Sequence, residues 1–164
     1  MLNVNSEMTR SDVIINEINP REGTPGLSSQ CVDLMYALLC VEQAFIEDKV
    51  KHSEGYLRRL AQKTYQSAYS GLVATLGDKA IGFMVTDEKD PRHIMALFVD
   101  PAYRNTGIAT EMILRHKLNY EADAITVNVY ALNTLAMPLY EKLGFSFEPV
   151  PGYVDIKKGT LRPH

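Results

Sequence analysis

Val99-Asp100-Pro101-Ala102-Tyr103-Arg104-Asn105-Thr106-Gly107-Ile108-Ala109 decides how this chain is read. An apolar strand ends at Val99, a short loop follows, and a helix begins at a glycine. The free backbone N–H groups of a helix start all point one way, and the helix dipole adds about half a positive charge there. A pyrophosphate fits such a site, and Gly107 removes the side chain that would block its approach. Arg104 supplies a charge-assisted donor. Taken alone, Arg-x-x-Gly-x-Ala equally describes an ordinary helix start with a surface arginine.

Upstream of the loop, His93–Val99 is nearly continuous apolar, the pattern of a strand covered on both faces. Lys79–Thr86 and Leu72–Leu76 flank Gly77–Asp78, a compact hairpin signal, and Asp87–Arg92 is a polar turn. Asp12–Ile18, with Val13, Ile14, Ile15 and Ile18, reads as a first strand. Two helices lie between it and the hairpin. One is capped by Ser28 or Ser29 and carries a stripe of Cys31, Leu34, Met35, Leu38 and Phe45; the other follows Ser53, with Tyr56, Leu57, Leu60, Ala61 and Tyr65 on one side. Cys31 and Cys40 fall on roughly opposite faces of the first helix, where they cannot pair.

Downstream, the helix from Gly107 carries Ala109, Met112, Ile113, His116 and Tyr120 on one stripe. Ala124–Tyr130 reads as a strand and Thr134–Leu143 as a helix. Phe145–Pro149 and Tyr153–Lys157 form a closing pair. The order predicts one mixed α/β sheet of about six to seven strands flanked by about four helices, with a parallel crossover around the helix after Gly107. Residues 1–10 and 160–164 read as tails around a single domain, 11–159.

A second signature follows the next strand: Asn133, Ala136, Leu139, Tyr140, Glu141, Lys142, Leu143, Gly144 and Phe145. Together with the loop it resembles the GNAT superfamily of acyl-CoA-dependent N-acyltransferases. Arg104–Ala109 looks like that family's pyrophosphate loop, Gln/Arg-x-x-Gly-x-Gly/Ala, and Asn133–Phe145 looks like its later Asn-x-x-Ala-x-x-Leu-Tyr-Glu-Lys-x-Gly-Phe pattern. With the element order, the resemblance covers about residues 12–158.

The resemblance implies acetyl-CoA as co-substrate, an amine acceptor and no metal. It implies that backbone groups along Leu97, Phe98 and Val99 hold the pantetheine arm as an added strand. Backbone N–H groups of Arg104, Asn105, Thr106, Gly107, Ile108 and Ala109 would hold the pyrophosphate, with a hydroxyl from Thr110. Asn133 would face the pantetheine and Tyr140 the thioester sulfur. On one continuous helix, seven residues are nearly two turns, so Asn133 and Tyr140 would share a face. Pro138, inside the expected helix, removes the N–H that would bond Thr134.

By the same resemblance a bound amine attacks the acetyl carbonyl directly, without an acyl-enzyme, and a strand N–H near Phe98 meets the oxyanion. His93 is the candidate base: in some relatives a glutamate stands at this place, and an imidazole near pKa 6.5 suits the task. Period-2 alternation puts His93, Met95, Leu97 and Val99 on one face; a strand-end histidine facing solvent is the other reading. Glu47, Asp48 and Glu54 stand around the junction of the first two helices, where acidic groups suit a cationic amine and equally a solvated loop.

The 164 residues are 46% hydrophobic and 23% charged, which excludes wholesale disorder. The formal charge of −3 and the absence of a dense Lys/Arg run disfavour nucleic acid as a partner. No apolar run approaches the ~20 residues of a membrane span, and Met1–Arg10 lacks the apolar core of a signal peptide, so a cytoplasmic protein is expected. The competing class is a non-catalytic acyl-CoA-binding sensor on the same fold. A polyamine, an amino acid, an aminoglycoside and a protein amine all remain open as acceptors, and a homodimer is compatible with the family without having a signature in the sequence.

Overall fold

The computed structural model describes residues 10–23, 26–45 and 52–164. Seven strands form one sheet: β1 (Val13–Ile18), β2 (Gly71–Leu76), β3 (Lys79–Thr86), β4 (His93–Val99), β5 (Ile125–Tyr130), β6 (Ser146–Val150) and β7 (Tyr153–Leu161). Their order across the sheet is β1-β2-β3-β4-β5-β7-β6. All neighbours run antiparallel except β4 and β5. That parallel pair is the crossover the sequence predicts, and α3 (Ile108–Leu118) bridges it.

Each face of the sheet carries its own core. On one, α3 and α4 (Ala136–Lys142) bury Ile108, Met112, Ile113 and Tyr140 against Ile81, Met84, Ile94 and Val127. On the other, α1 (Leu27–Glu42) and α2 (Glu54–Ser67) bury Cys31, Met35, Ala61 and Tyr65 against Val73, Phe83, Val85 and Phe98. Gln30 fastens α1 to the β2–β3 turn: its amide donates to Asp78 O at 3.0 Å and accepts from Ala80 N at 2.8 Å. Gly77, at φ 58°, makes that two-residue turn.

Several boundaries differ from expectation for local reasons. Neither Ser28 nor Ser29 caps α1; the helix starts at Leu27 because Gly26, at φ 79°, turns the chain just before it. Ser28 lies inside the helix, where its side chain bonds Tyr65. Ser53 does cap α2, its Oγ accepting from Tyr56 N at 3.2 Å. Phe45 falls beyond α1 in a short 3-10 turn and is half-buried. Tyr65 is core, whereas Tyr56 is exposed and stacks on His52 at 4.3 Å. At the C-terminus β7 runs through Thr160 to Leu161, which is buried, so the strand passes the expected boundary at 159.

β4 is only partly covered: His93, Met95 and Leu97 keep some exposure, and the strand enclosed on both faces is β3. The alternation expected along β4 is broken by a bulge. Thr86 pairs with Ile94 but Val85 with Ala96, so Met95 is an extra residue. Leu97 and Val99 therefore pack on the α3 side, while Met95 packs on the α1 side. His93, one residue before Ile94 and bonded to Thr126, lies on the α1 side as well.

Candidate active site

The bulge opens the site. β4 and β5 pair only at His93↔Thr126 and Ile94↔Val127, and beyond that point they diverge. β5 instead pairs with β7 along its whole length, Ile125↔Leu161 to Tyr130↔Ile156. The facing edges of Leu97–Val99 and Asn128–Tyr130 thus have no strand partner across the gap, in the middle of the sheet. Backbone N–H and C=O groups at such an edge require partners, and an extended, amide-bearing chain can supply them as an added strand.

The notch leads to the start of α3. Gly107, at φ 81°, is the N-cap, and no side chain caps the helix. A Cβ at Gly107 would meet nothing within 4 Å, so the space above these first N–H groups is open. Glu111, the acidic residue of the first turn, is neutralised by Arg115 at 2.7 Å and by Arg10. Asn105 also has positive φ, 62°, and the Thr106 hydroxyl donates to Tyr103 O at 2.7 Å, which holds the loop in shape. The open space, the uncapped N–H groups of the helix start and the positive end of its dipole together fit a diphosphate. Ala109 and Thr110 sit half-buried in the first turn.

Arg104 does more than extend a donor to solvent. Its Nε donates to Val99 O at 3.0 Å and its guanidinium lies 5.3 Å from the Phe98 ring centroid. It therefore links the loop to the end of β4, leaving the terminal guanidinium nitrogens for an anion.

Tyr140, on α4, is buried beneath Phe145 and Phe147 with edge-on ring contacts at 5.1 and 6.4 Å. Burial first, and then the charge of Glu42, push its phenol well above the ordinary tyrosine range, so the group is a proton-bearing donor at every physiological pH.

Asn133 does not share a helix with Tyr140. The helix expected from Thr134 begins at Ala136, which puts Pro138 in the first turn, where no intrahelical N–H is required of it. Asn133 precedes the helix, and its Oδ1 accepts from Ala136 N at 3.1 Å. The spacing argument for a shared face therefore does not apply; what remains open on Asn133 is its amide NH2.

His93 lies at the closed end of the notch, with Nδ1 2.7 Å from the Thr126 hydroxyl. Burial lowers its pKa, against the raising influence of Asp87 and Asp90, so it is neutral at pH 7. Glu54, exposed on the first turn of α2, is bound to Arg58 at 3.1 Å. Glu47 and Asp48 lie outside the described residues.

One further carboxylate, Glu42, is not singled out by the sequence reading. It is the last residue of α1 and it is partly buried; its charge raises the pKa of both Tyr130 and Tyr140. Burial pushes its own carboxyl up to about 7. The one signal available was an acidic residue closing an otherwise apolar helix stripe.

Residues 37–155 match the Acetyltransferase (GNAT) domain family model. Among curated proteins, the chain is 40% identical over 68 residues to peptidyl-lysine N-acetyltransferase YjaB of Salmonella typhimurium, a match covering 42% of this chain and 43% of that one. It is 44% identical over 70 residues to human cysteine-rich protein 2-binding protein, covering 42% of this chain and 9% of that protein. The matches thus span less than half the length of these relatives. Among solved structures, the PaiA N-acetyltransferase of Thermoplasma acidophilum in complex with coenzyme A superposes with TM-score 0.67 at 15% identity, over 93% of this chain and 99% of that one. The apo form of YjaB from Escherichia coli gives 0.62 at 21% identity, over 90% and 95%. At these identities the structural likeness establishes the shared fold.

Proposed function

Because the chain belongs to the GNAT acetyltransferase domain family, we propose that it transfers the acetyl group of acetyl-CoA to a primary amine, by direct attack within a ternary complex. The observation that carries this reading is the unpaired gap between β4 and β5, with the uncapped start of α3 following the end of β4. Acetyl-CoA supplies the activated acyl group; everything else falls to side chains and amides of this chain.

The amides around Gly107 hold the diphosphate, and Arg104 orients the loop that carries them. The open edge of Leu97, Phe98 and Val99 binds the amide-bearing arm. A strand N–H near Phe98 meets the charge that develops on the carbonyl oxygen. Tyr140 donates a hydrogen bond to the departing sulfur without giving up its proton. A thiolate near pKa 8.5 is a weaker base than an ordinary phenolate by about 2 kcal/mol, and the raised pKa of Tyr140 widens that gap.

The relative described as a peptidyl-lysine N-acetyltransferase favours a lysine side chain of a protein as acceptor. Such an amine, with pKa near 10.4, is only about one part in a few thousand neutral at pH 7, a deficit of about 4–5 kcal/mol. A base must remove a proton. His93 is the candidate the sequence offers, and its engagement with Thr126 leaves Nε2 for the task.

Calorimetry with coenzyme A and acetyl-CoA, followed by thiol release with a lysine peptide, spermidine and an aminoglycoside, tests the proposal. Binding with turnover on one of these amines is expected. Binding without turnover on any would favour the acyl-CoA sensor, and no binding would remove both readings.

A further inference from the structure

We propose that Thr126 is a positioning residue of this site: its hydroxyl holds the His93 ring with the proton on Nδ1, which leaves Nε2 as the basic nitrogen. The assignment rests on the acetyl transfer proposed above, with His93 as base, and three observations carry it.

The first is the contact. His93 Nδ1 lies 2.7 Å from Thr126 Oγ1. Both residues are half-buried, and among the described residues neither side chain makes another hydrogen bond. Threonine is β-branched and stiff at χ1, so its hydroxyl stays where the strand puts it.

The second is the place. β4 and β5 meet at two register pairs, His93↔Thr126 and Ile94↔Val127. Ile94 and Val127 are buried on the α3 side, which puts the His93–Thr126 pair on the α1 side. On that face it is the last register pair before the two strands part. The backbone around it is fastened. His93 N donates to Asp90 O at 2.9 Å, Asp87 N donates to His93 O at 3.0 Å, and Thr126 N donates to Arg92 O at 3.3 Å. With both strands fixed, the ring's own rotation is what is left to set, and Thr126 sets it.

The third is the chemistry of the pair. A neutral imidazole carries one N–H, and only the Nδ1–H form offers Nε2 as a proton acceptor. Once Nε2 is protonated both nitrogens are donors, and the Thr126 oxygen still accepts from Nδ1–H. One hydrogen bond therefore serves the base before and after it takes up the proton, with no rearrangement between. The charged groups around the ring are Asp87 and Asp90 ahead of β4 and Lys158 on β7; the carboxylates favour the imidazolium and the ammonium opposes it. None of them hydrogen-bonds the ring, so its orientation falls to Thr126.

The step balances. The acceptor's R–NH3+ gives one proton to His93 Nε2, while Nδ1 keeps its own. The resulting amine forms the C–N bond to the acetyl carbon, and the C–S bond breaks with its electron pair going to sulfur. The second nitrogen proton goes to the thiolate, giving the free thiol, and Nε2 returns its proton to water.

The test compares wild type, Thr126→Val, Thr126→Ser, His93→Ala and the Thr126→Val/His93→Ala double variant. Thiol release is read with whichever of lysine peptide, spermidine or aminoglycoside reacts fastest. The His93 ring nitrogens are followed by NMR from pH 5 to 8, with His93→Ala supplying the assignment. Thr126→Val, which keeps the shape and removes the acceptor, is expected to lower kcat/KM at pH 7 roughly 10-fold. Acetyl-CoA affinity by calorimetry should stay close to that of wild type. Thr126→Ser should recover most of the lost activity. The double variant should be no slower than His93→Ala alone, because Thr126 acts only through the ring. By NMR, wild type should show Nδ1–H and bare Nε2; in Thr126→Val the ring should shift toward Nε2–H and titrate at lower pH, since the imidazolium has lost an acceptor.

An Nε2–H ring in the neutral wild-type protein overturns the assignment without recourse to any variant. So does a Thr126→Val enzyme with wild-type kcat/KM, a His93→Ala enzyme with wild-type kcat/KM, or a Thr126→Val loss of the same size in the His93→Ala background. A loss that Thr126→Ser does not recover, matched by falls in Tm and acetyl-CoA affinity, is the pattern of a structural role and also overturns it. Failure of acetyl transfer itself is distinguishable, because it is seen in the wild-type protein as no acetyl-CoA binding or no thiol release.

Discussion

Glu42 and Tyr140 lie on opposite faces of the sheet, and the charge of the one still raises the pKa of the other. Between the two faces, β4 and β5 part after Ile94 and Val127, leaving a gap in the sheet.

Tyr140→Phe should lower kcat by roughly 10- to 100-fold, the range expected when a hydrogen bond to a charged group is lost. The KM for acetyl-CoA should hardly move, since the hydroxyl serves the departing sulfur more than the bound thioester. Steady-state kinetics with chemistry shown to be rate-limiting checks this. An unchanged kcat removes Tyr140 from the reaction.

Arg104→Lys should behave as a binding variant. Lysine lacks the planar fork that bonds Val99 O while leaving nitrogens for an anion. The Kd for coenzyme A should rise about tenfold with kcat at saturation within about twofold, read by calorimetry and kinetics together. Equal losses in kcat and kcat/KM would contradict a role confined to the loop.

Gly107→Ala separates conformation from space. The new Cβ meets no protein atom, but φ 81° is unfavourable for alanine by about 1–2 kcal/mol. A modest fall in Tm is expected, with a larger fall in coenzyme A affinity because the methyl enters the diphosphate's approach. A Tm change with unaltered affinity would place the ligand elsewhere.

Stability should decline in mild acid. His116 and His93 are both buried enough that their folded pKa values lie below the ordinary 6.5, and His116 Nε2 sits 3.1 Å from Arg92 O. The unfolded chain then takes up protons first as pH falls. Their contribution is full above about 6.5 and is lost as pH drops through the lower folded values. Thermal melts between pH 8 and 5 should show this decline, and it should be shallower in His116→Asn. An identical slope in that variant would assign the decline to other groups.

Much of the fold around the candidate site was legible because its signals are local. The hairpin at Gly77–Asp78 is written in its own residues and folds as written. The strand, loop and glycine-started helix at Val99–Ala109 follow equally from adjacent chemistry. Where Pro138 warned of a late helix start, α4 does begin after Thr134, and with it went the helical spacing of Asn133 and Tyr140.

From its sequence alone, this protein's elements, their order and its loop of backbone donors were determined, since each depends on residues that are chain neighbours. Only the tertiary structure decided which face each β4 side chain takes and where the sheet opens. A single extra residue at Met95 resets the alternation of a strand, and strand register is a property of two chains side by side. Period 2 read along β4 cannot reveal it. The gap between β4 and β5 likewise exists only once the sheet has formed, because it is set by which strands pair and where.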